Sequence, residues 1–518
     1  MSRTNFTSLP ESEFQMLKSL QTLTIDGAPF LKIPTTALTA LPSLKHLDLS
    51  ECNLQEPPWD TLTLLRPLTS LRLATFKFTG LPDRAFDHHK NLTSLDLSGN
   101  EIFELPPWVF WNLSQLVNLS LSDCSLETVS ATDLANLTLL RKLDLSSNKL
   151  KTIESNSFIY LNRLRELYLT NNTISNLPAD AFKGLTRLEH LDLGMNNVSS
   201  IPSNLFSHLS NLTTLLLYGN PLHTLEGDQP GSFIIRGLSK LETLNLQGIH
   251  LKDLHSDMFR GMIHLENLLL GFNNITSIPE DTFTGLNSLK RIFLCNNFLE
   301  ELPDNLLKGL HNLTDLVVNH NRIKSLSNAL LRDAPSLRVL HLSENEINKI
   351  PEDLFTGLHQ VVMIFLDGNG ISELPSKTFA NLPLLELVYL KGNNLTKWEW
   401  VYETKQWPKL EEVNLKDNII NDVSENVFRS WLQPSRARRR LWMPDSRLNP
   451  AALRWATEDA AVAKSTSRDC RCGSLYAGEA RISMCVDMPC PGDADATPDD
   501  PADWKEAAEK RWSRPTKS

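Results

Sequence analysis

The chain has 518 residues, with 51 basic and 61 acidic side chains and a net charge of −10. From Ser424 onward there are 16 basic and 14 acidic residues, which leaves 35 and 47, or −12, for everything before it. A mildly acidic surface lacks the basic face that a nucleic-acid binder needs. No run approaches the roughly 18 apolar residues of a membrane-spanning helix, and no secretory leader precedes the first motif.

In chain order, residues 6–17, FTSLPESEFQML, already form the second half of a unit that recurs later: Phe6, Leu9, Pro10 and Phe14. No cap precedes them. An uncapped solenoid end bares apolar core, so the native protein is expected to extend further N-terminally.

The unit is clearest at 185–202, LTRLEHLDLGMNNVSSIP, with Leu188, Leu191, Leu193, Val198 and Ile201 as its apolar positions and Asn196 among them. Alternation around Leu191 and Leu193 predicts a short strand with one face buried. Asn196 falls where the chain turns away, and its amide can bond the bare backbone groups of that turn. First leucines fall at Leu20, Leu44, Leu68, Leu92, Leu116, Leu140, Leu164, Leu188 and Leu212, then from Leu241 through Leu385 to Leu410. The spacing is 24 except for 29 between Leu212 and Leu241 and 25 between Leu385 and Leu410, which makes seventeen units. A period this constant is similar to that of leucine-rich repeats, which stack into a solenoid.

The second half of most units reads Leu/Ile-Pro-x-x-x-Phe and predicts a second inward row: Phe86, Phe110, Phe158, Phe182, Phe206, Phe259, Phe283, Phe355 and Phe379. The long unit carries GDQPGSF at 227–233, a surface excursion by composition. Trp398, Trp400, Tyr402 and Trp407 crowd the sixteenth unit and are expected to thicken the core. After Phe428 the motif stops. Residues 424–469 read as an irregular Arg-rich linker, 470–490 as a Cys-rich segment and 491–518 as a tail too acidic and Pro-rich to bury a core. The RARR run at 436–439 reads as a solvated basic loop, a convertase site or a localisation signal.

Seven cysteines fall in two groups. Cys52 and Cys124 occupy the Asn position and, with Cys295, are expected to be buried thiols. Cys470, Cys472, Cys485 and Cys490 form either a disulfide-bonded cap, a zinc site or no fixed structure.

On each strand the residue between two inward ones lines the exposed face. The early column is polar: Asp48, Arg72, Asp96, Ser120, Asp144, Tyr168 and Asp192. The later column is Leu216, Asn245, Leu269, Phe293, Val317, His341, Phe365 and Tyr389, flanked by Tyr218, Val339, Met363 and Leu387. A contiguous apolar patch on the surface marks a protein-binding site, although β-propensity alone also places such residues on strands. Tyr218, Leu269, Phe293, Val317, Val339, His341, Met363, Phe365, Leu387 and Tyr389 are therefore the candidate contacts for a protein ligand. The four aspartates fall on alternate strands, about 10 Å apart, too far for a shared metal or a catalytic pair. They read as a solvated acidic face or a seat for a basic partner.

Asn-x-Ser/Thr sequons occur at Asn5, Asn91, Asn112, Asn118, Asn136, Asn171, Asn197, Asn211, Asn274, Asn312 and Asn394. This density points to a secreted glycoprotein, although Asn-Leu-Thr also arises from the repeat consensus. A glycan on Asn118 would stand on the exposed strand face and block binding there.

The 24-residue unit with its Leu/Ile-Pro-x-x-x-Phe half resembles the typical-type leucine-rich repeats of extracellular proteins such as Toll-like receptors, chaoptin and Slit, over residues 6–423. The resemblance implies an α/β solenoid, a horseshoe with a parallel concave sheet and an irregular or short-helical convex side. It also implies binding of another protein on the concave or lateral face, and an extracellular or cell-surface location. For the C-terminal cysteines it implies a cap pairing Cys470 with Cys485 and Cys472 with Cys490. The sequence departs from the family's cap, however. No Asn-Pro-Trp entry is present, Gly473 interrupts the helix, and about 47 residues separate the cysteines from the last repeat.

No phosphate loop, kinase set or Ser/His/Asp arrangement is present, so no enzyme, cofactor or metal is expected. The leading expectation is a receptor-like or adhesive binding module. The alternatives are a cytoplasmic scaffold or sensor arm of a larger protein, and a repeat protein with a C-terminal catalytic cysteine as in bacterial ubiquitin ligases. The tail after 424 is too short and too poor in apolar residues to suit the last.

Overall fold

Each first leucine is followed by the strand that the alternation predicts. The computed structural model describes residues 14–25, 35–52, 57–227, 231–397 and 407–420 and the backbone of 440–442. Its strands are β1 (Thr22–Thr24), β2 (His46–Asp48), β3 (Ser70–Arg72), β4 (Ser94–Asp96), β5 (Asn118–Ser120), β6 (Lys142–Asp144), β7 (Glu166–Tyr168), β8 (His190–Asp192), β9 (Thr214–Leu216), β10 (Thr243–Asn245), β11 (Asn267–Leu269), β12 (Arg291–Phe293), β13 (Asp315–Val317), β14 (Val339–His341), β15 (Met363–Phe365), β16 (Leu387–Tyr389) and β17 (Glu412–Asn414). Each pairs in parallel with the next at a shift of one repeat, so Leu191 opposes Leu167 and Leu215. Leu191 and Leu193 have no exposed surface, and Val198 and Ile201 turn inward behind them. The result is a solenoid with one continuous sheet.

One departure lies beyond the last repeat. Residues 424–469 were expected to be an irregular linker, yet β18 (Arg440–Trp442) pairs in parallel with β17. The open edge of β17 presents unpaired N–H and C=O groups, which any adjacent extended segment can satisfy. Three residues without a leucine spacing leave no periodic signal to read. The cysteine group at 470–490, the RARR run, Asn5, Trp398, Trp400 and Tyr402 lie outside the described residues.

The asparagines bond more than their own turn. Asn196 is 3% exposed. Its Nδ2 donates to Leu193 O at 3.1 Å, to Gly194 O at 3.0 Å and, one repeat back, to Leu169 O at 2.9 Å. Its Oδ1 accepts the Ile174 N–H at 3.0 Å. The same set recurs at Asn220, Asn297 and Asn369, so a line of buried amides ties each turn to the one before. At Cys52 and Cys124 the thiol donates to the preceding repeat instead, to Ile25 O at 3.3 Å and Leu97 O at 3.5 Å. Both side chains are buried, as is that of Cys295. Burial raises the Cys124 thiol to about 11, so it stays a protonated donor. At Ile249 no amide exists, and Asn273 Oδ1 accepts both the Ile249 and the Leu251 N–H at 3.0 Å.

The expected phenylalanine row is buried, at 0–1% exposure from Phe86 to Phe379. Rings of successive repeats stack, Phe158 on Phe182 at 6.3 Å and 8° and Phe355 on Phe379 at 5.5 Å and 21°. Leucines, isoleucines and phenylalanines between sheet and row make one core. The convex side is built of turns, and the helices among the described residues are short: α1 (Thr35–Thr39) and α2 (Trp59–Leu62). Trp407 closes the core near the last repeat, 2% exposed, with Nε1 donating to Phe379 O at 2.7 Å. The 227–233 excursion is pinched at its base by an antiparallel bridge between Glu226 and Phe233.

Candidate protein-binding face

Alternation decides which side chains leave the core. On every strand from β1 to β17 the central residue is buried and its neighbours face outward. The register then lines up the third residues. Leu269, Phe293, Val317, His341, Phe365 and Tyr389 stand in one unbroken column across β11 to β16. The first residues Val339, Met363 and Leu387 form the adjacent column.

The column is more covered than alternation alone requires. Phe293, His341, Phe365 and Tyr389 are half-buried, as are Leu269, Met363 and Leu387. Val317 is 9% and Val339 4% exposed. Strands about 4.8 Å apart bring in-register side chains into lateral contact, so each residue shields its neighbours. His341 lies against Phe365 with ring centroids 4.9 Å apart, and Phe365 stacks on Tyr389 at 5.2 Å and 7°. Phe365 and Tyr389 therefore show ring edges, not faces, to the concave side. Tyr389 is anchored by its hydroxyl, which donates to Glu412 Oε1 at 3.1 Å. Burial lowers the His341 imidazole to about 4, with the charge of His320 adding to the effect, so the ring is neutral at pH 7.

The edge of this apolar half is polar. Asp315 is 5% exposed, and burial raises its carboxyl while Thr314 and Arg291 oppose the shift. Asp367 is raised by burial to about 6, although it accepts the Lys391 N–H at 2.8 Å.

The polar half is organised differently. Arg72 lies between two aspartates, its Nε 2.8 Å from Asp96 and its Nη1 3.6 Å from Asp48. Asp96, Asp144 and Asp192 each accept the backbone N–H two residues on, at 2.8–3.0 Å. Asn245 makes the same bond at 3.0 Å without a charge, so the bond does not require a carboxylate. Asp192 is 7% exposed, and burial raises its carboxyl to about 6, with Asp144 adding to the shift. Tyr168 lies under Lys142, whose Nζ is 4.8 Å from the ring, and against His190 at 4.8 Å.

Tyr218, one of the expected ligand contacts, runs back across the sheet. Its hydroxyl lies 3.0 Å from Thr170 Oγ1, two repeats back. The ring crosses Gly194, where a Cβ would meet it at 2.2 Å. The signal was a glycine directly before a tyrosine one repeat on, which only lining up the repeats reveals. Asn118 opens β5 and is exposed on the concave face, as expected. Asn91, Asn197, Asn312 and Asn394 are exposed, and Asn112, Asn136, Asn211 and Asn274 half-buried. Among the described residues no three acidic, His or Cys side chains gather as metal ligands, and no helix is long and apolar enough to cross a membrane.

Comparison with known proteins places these features in a family. The leucine-rich-repeat model matches in overlapping windows over 66–222 and 239–395, with a further single repeat at 43–65. The break at 223–238 is the long unit. A leucine-rich-repeat protein of Leptospira interrogans is similar over 80% of this chain and all of its own, at 26% identity and a TM-score of 0.70. The TLR13–ssRNA13 complex matches 85% of this chain and 84% of that one, at 20% identity and a TM-score of 0.57. Drosophila Toll, in its complex with Spatzle, matches over 80% of this chain and 55% of its own, at 21% identity and a TM-score of 0.59. No curated protein matches the sequence. With its windows spanning more than half of the chain, the asparagine and phenylalanine lines and the one-repeat register have a common origin: the chain belongs to the leucine-rich-repeat family.

Proposed function

We propose that the chain is a protein-binding module that takes its ligand on the concave face of β11 to β16. The observation that carries this is the unbroken column from Leu269 to Tyr389, flanked by Val339, Met363 and Leu387. The residues beneath it already fill the core, so packing does not require aromatics in this column. Aromatics dominate the hot spots of protein interfaces. The reading extends to a receptor-like or adhesive role outside the cell, supported by the sequons and by Toll, which is seen in complex with Spatzle. TLR13 is seen with an RNA, but a solenoid of net charge −12 does not suit a polyanion.

The test starts from a protein partner recovered by a binding screen. Phe365→Ala and Tyr389→Ala should each weaken it by about 1–3 kcal/mol, while Asp96→Asn on the polar half has less effect. Circular dichroism checks that the variants stay folded. A loss from Asp96→Asn equal to or larger than that from both aromatic variants would place the site elsewhere.

A further inference from the structure

On the convex side, away from the concave columns, two indoles stand out of the surface. Trp108 is 50% and Trp111 48% exposed, and they meet edge to face at 5.1 Å and 89°. Their counterparts one repeat on are Thr132 and Ala135, side chains too small to cover them. The next residue, Asn136, heads the sequon Asn136-Leu137-Thr138. Asn136 sits at a φ of 72°, and its Nδ2 donates to Trp111 O. The atom that would carry an N-linked sugar is therefore held at the backbone carbonyl of Trp111, the residue that bears one of the two open indoles. The neighbouring sequon is aimed elsewhere, because Asn112 Nδ2 donates to Asp87 Oδ1 at 3.0 Å.

We propose that Asn136 is glycosylated and that its first sugar packs on the Trp108–Trp111 pair. The inference rests on the extracellular reading above. The negative faces of indole rings attract the polarised C–H groups on the apolar side of a pyranose, and the sugar's hydroxyls stay in water. A glycan seated in this way would account for two large exposed apolar side chains side by side.

The experiment secretes the full chain from a eukaryotic host with a supplied leader. It maps sequon occupancy by glycopeptide mass spectrometry and measures hydroxyl-radical oxidation of each tryptophan. Thr138→Ala removes the sequon, keeps Asn136 in its left-handed conformation and alters only an exposed side chain. Asn136 should be occupied, and Thr138→Ala should raise oxidation of Trp108 and Trp111 several-fold while buried Trp407 stays protected. Ser114→Ala, which removes the Asn112 sequon, should leave both indoles as they were. If Asn136 is empty while other sequons are filled, or if the indoles oxidise equally in wild type and Thr138→Ala, this proposal fails and the extracellular reading stands. If no sequon is filled, both fail.

Discussion

Replacing Asn196 with alanine tests the bonding that ties the repeats together. The change removes three donations, to Leu169 O, Leu193 O and Gly194 O, and the acceptor for the Ile174 N–H. The carbonyls are not orphaned. Leu169 O still receives Asn172 Nδ2 at 3.0 Å, Leu193 O receives Asn220 Nδ2 at 2.9 Å, and Gly194 O receives the Asn171 N–H at 3.0 Å. Nδ2 has two hydrogens, shared over these three carbonyls, so their share is two ordinary hydrogen bonds, each worth about 0.5–1.5 kcal/mol net. The Ile174 N–H loses its acceptor inside the core, which costs about 1–3 kcal/mol more. The total is about 2–6 kcal/mol. Asn196→Cys should be milder, since the thiols of Cys52 and Cys124 donate to the preceding repeat from this position. Because a solenoid can open locally, two measurements are needed: denaturant unfolding, and hydrogen exchange at the Ile174 amide, which should accelerate most. A loss below about 1 kcal/mol for Asn196→Ala, or exchange at Ile174 no faster than in wild type, would refute the accounting.

Three further outcomes are expected. Leu193→Asp places a charge where no surface is exposed, and should lower stability by at least about 3 kcal/mol; unchanged thermal unfolding would mean the register is wrong. Asp192 has a folded pKa of about 6 against an ordinary 3.8, so the folded state holds its proton more tightly and this group lowers stability as pH rises from about 4 to about 6. Asp192→Asn keeps an acceptor for Gly194, as Asn245 does for Gln247, and should raise stability at pH 7 by up to about 3 kcal/mol; a melting temperature that is lower than wild type at pH 7 would contradict this. Gly194→Ala should push the Tyr218 ring off its path and cost about 1–3 kcal/mol, and adding Tyr218→Ala should recover part of that; no recovery in the double variant would show that the ring is not the obstacle.

What the amino-acid order determined by itself was whatever repeats. Leu188, Leu191 and Leu193 recur with the same spacing, so strand, inward face and register could be read before any coordinates, as could the inward phenylalanines and the column holding Phe293, Phe365 and Tyr389. Period and alternation are local properties, and a solenoid adds only nearest-neighbour contacts to them. Tertiary structure decided what passes between repeats. Asn196 looked like a turn residue, but its reach to Leu169 depends on how far one turn stacks behind the next. Exposure of the aromatic column depended on lateral contact, which half-buries Phe365 between His341 and Tyr389. The burial that lifts Asp192, the path of Tyr218 over Gly194 and the pairing of Arg440–Trp442 with Glu412–Asn414 all depend on distances between strands. A single repeat carries no record of those distances, because they arise when identical units are laid side by side.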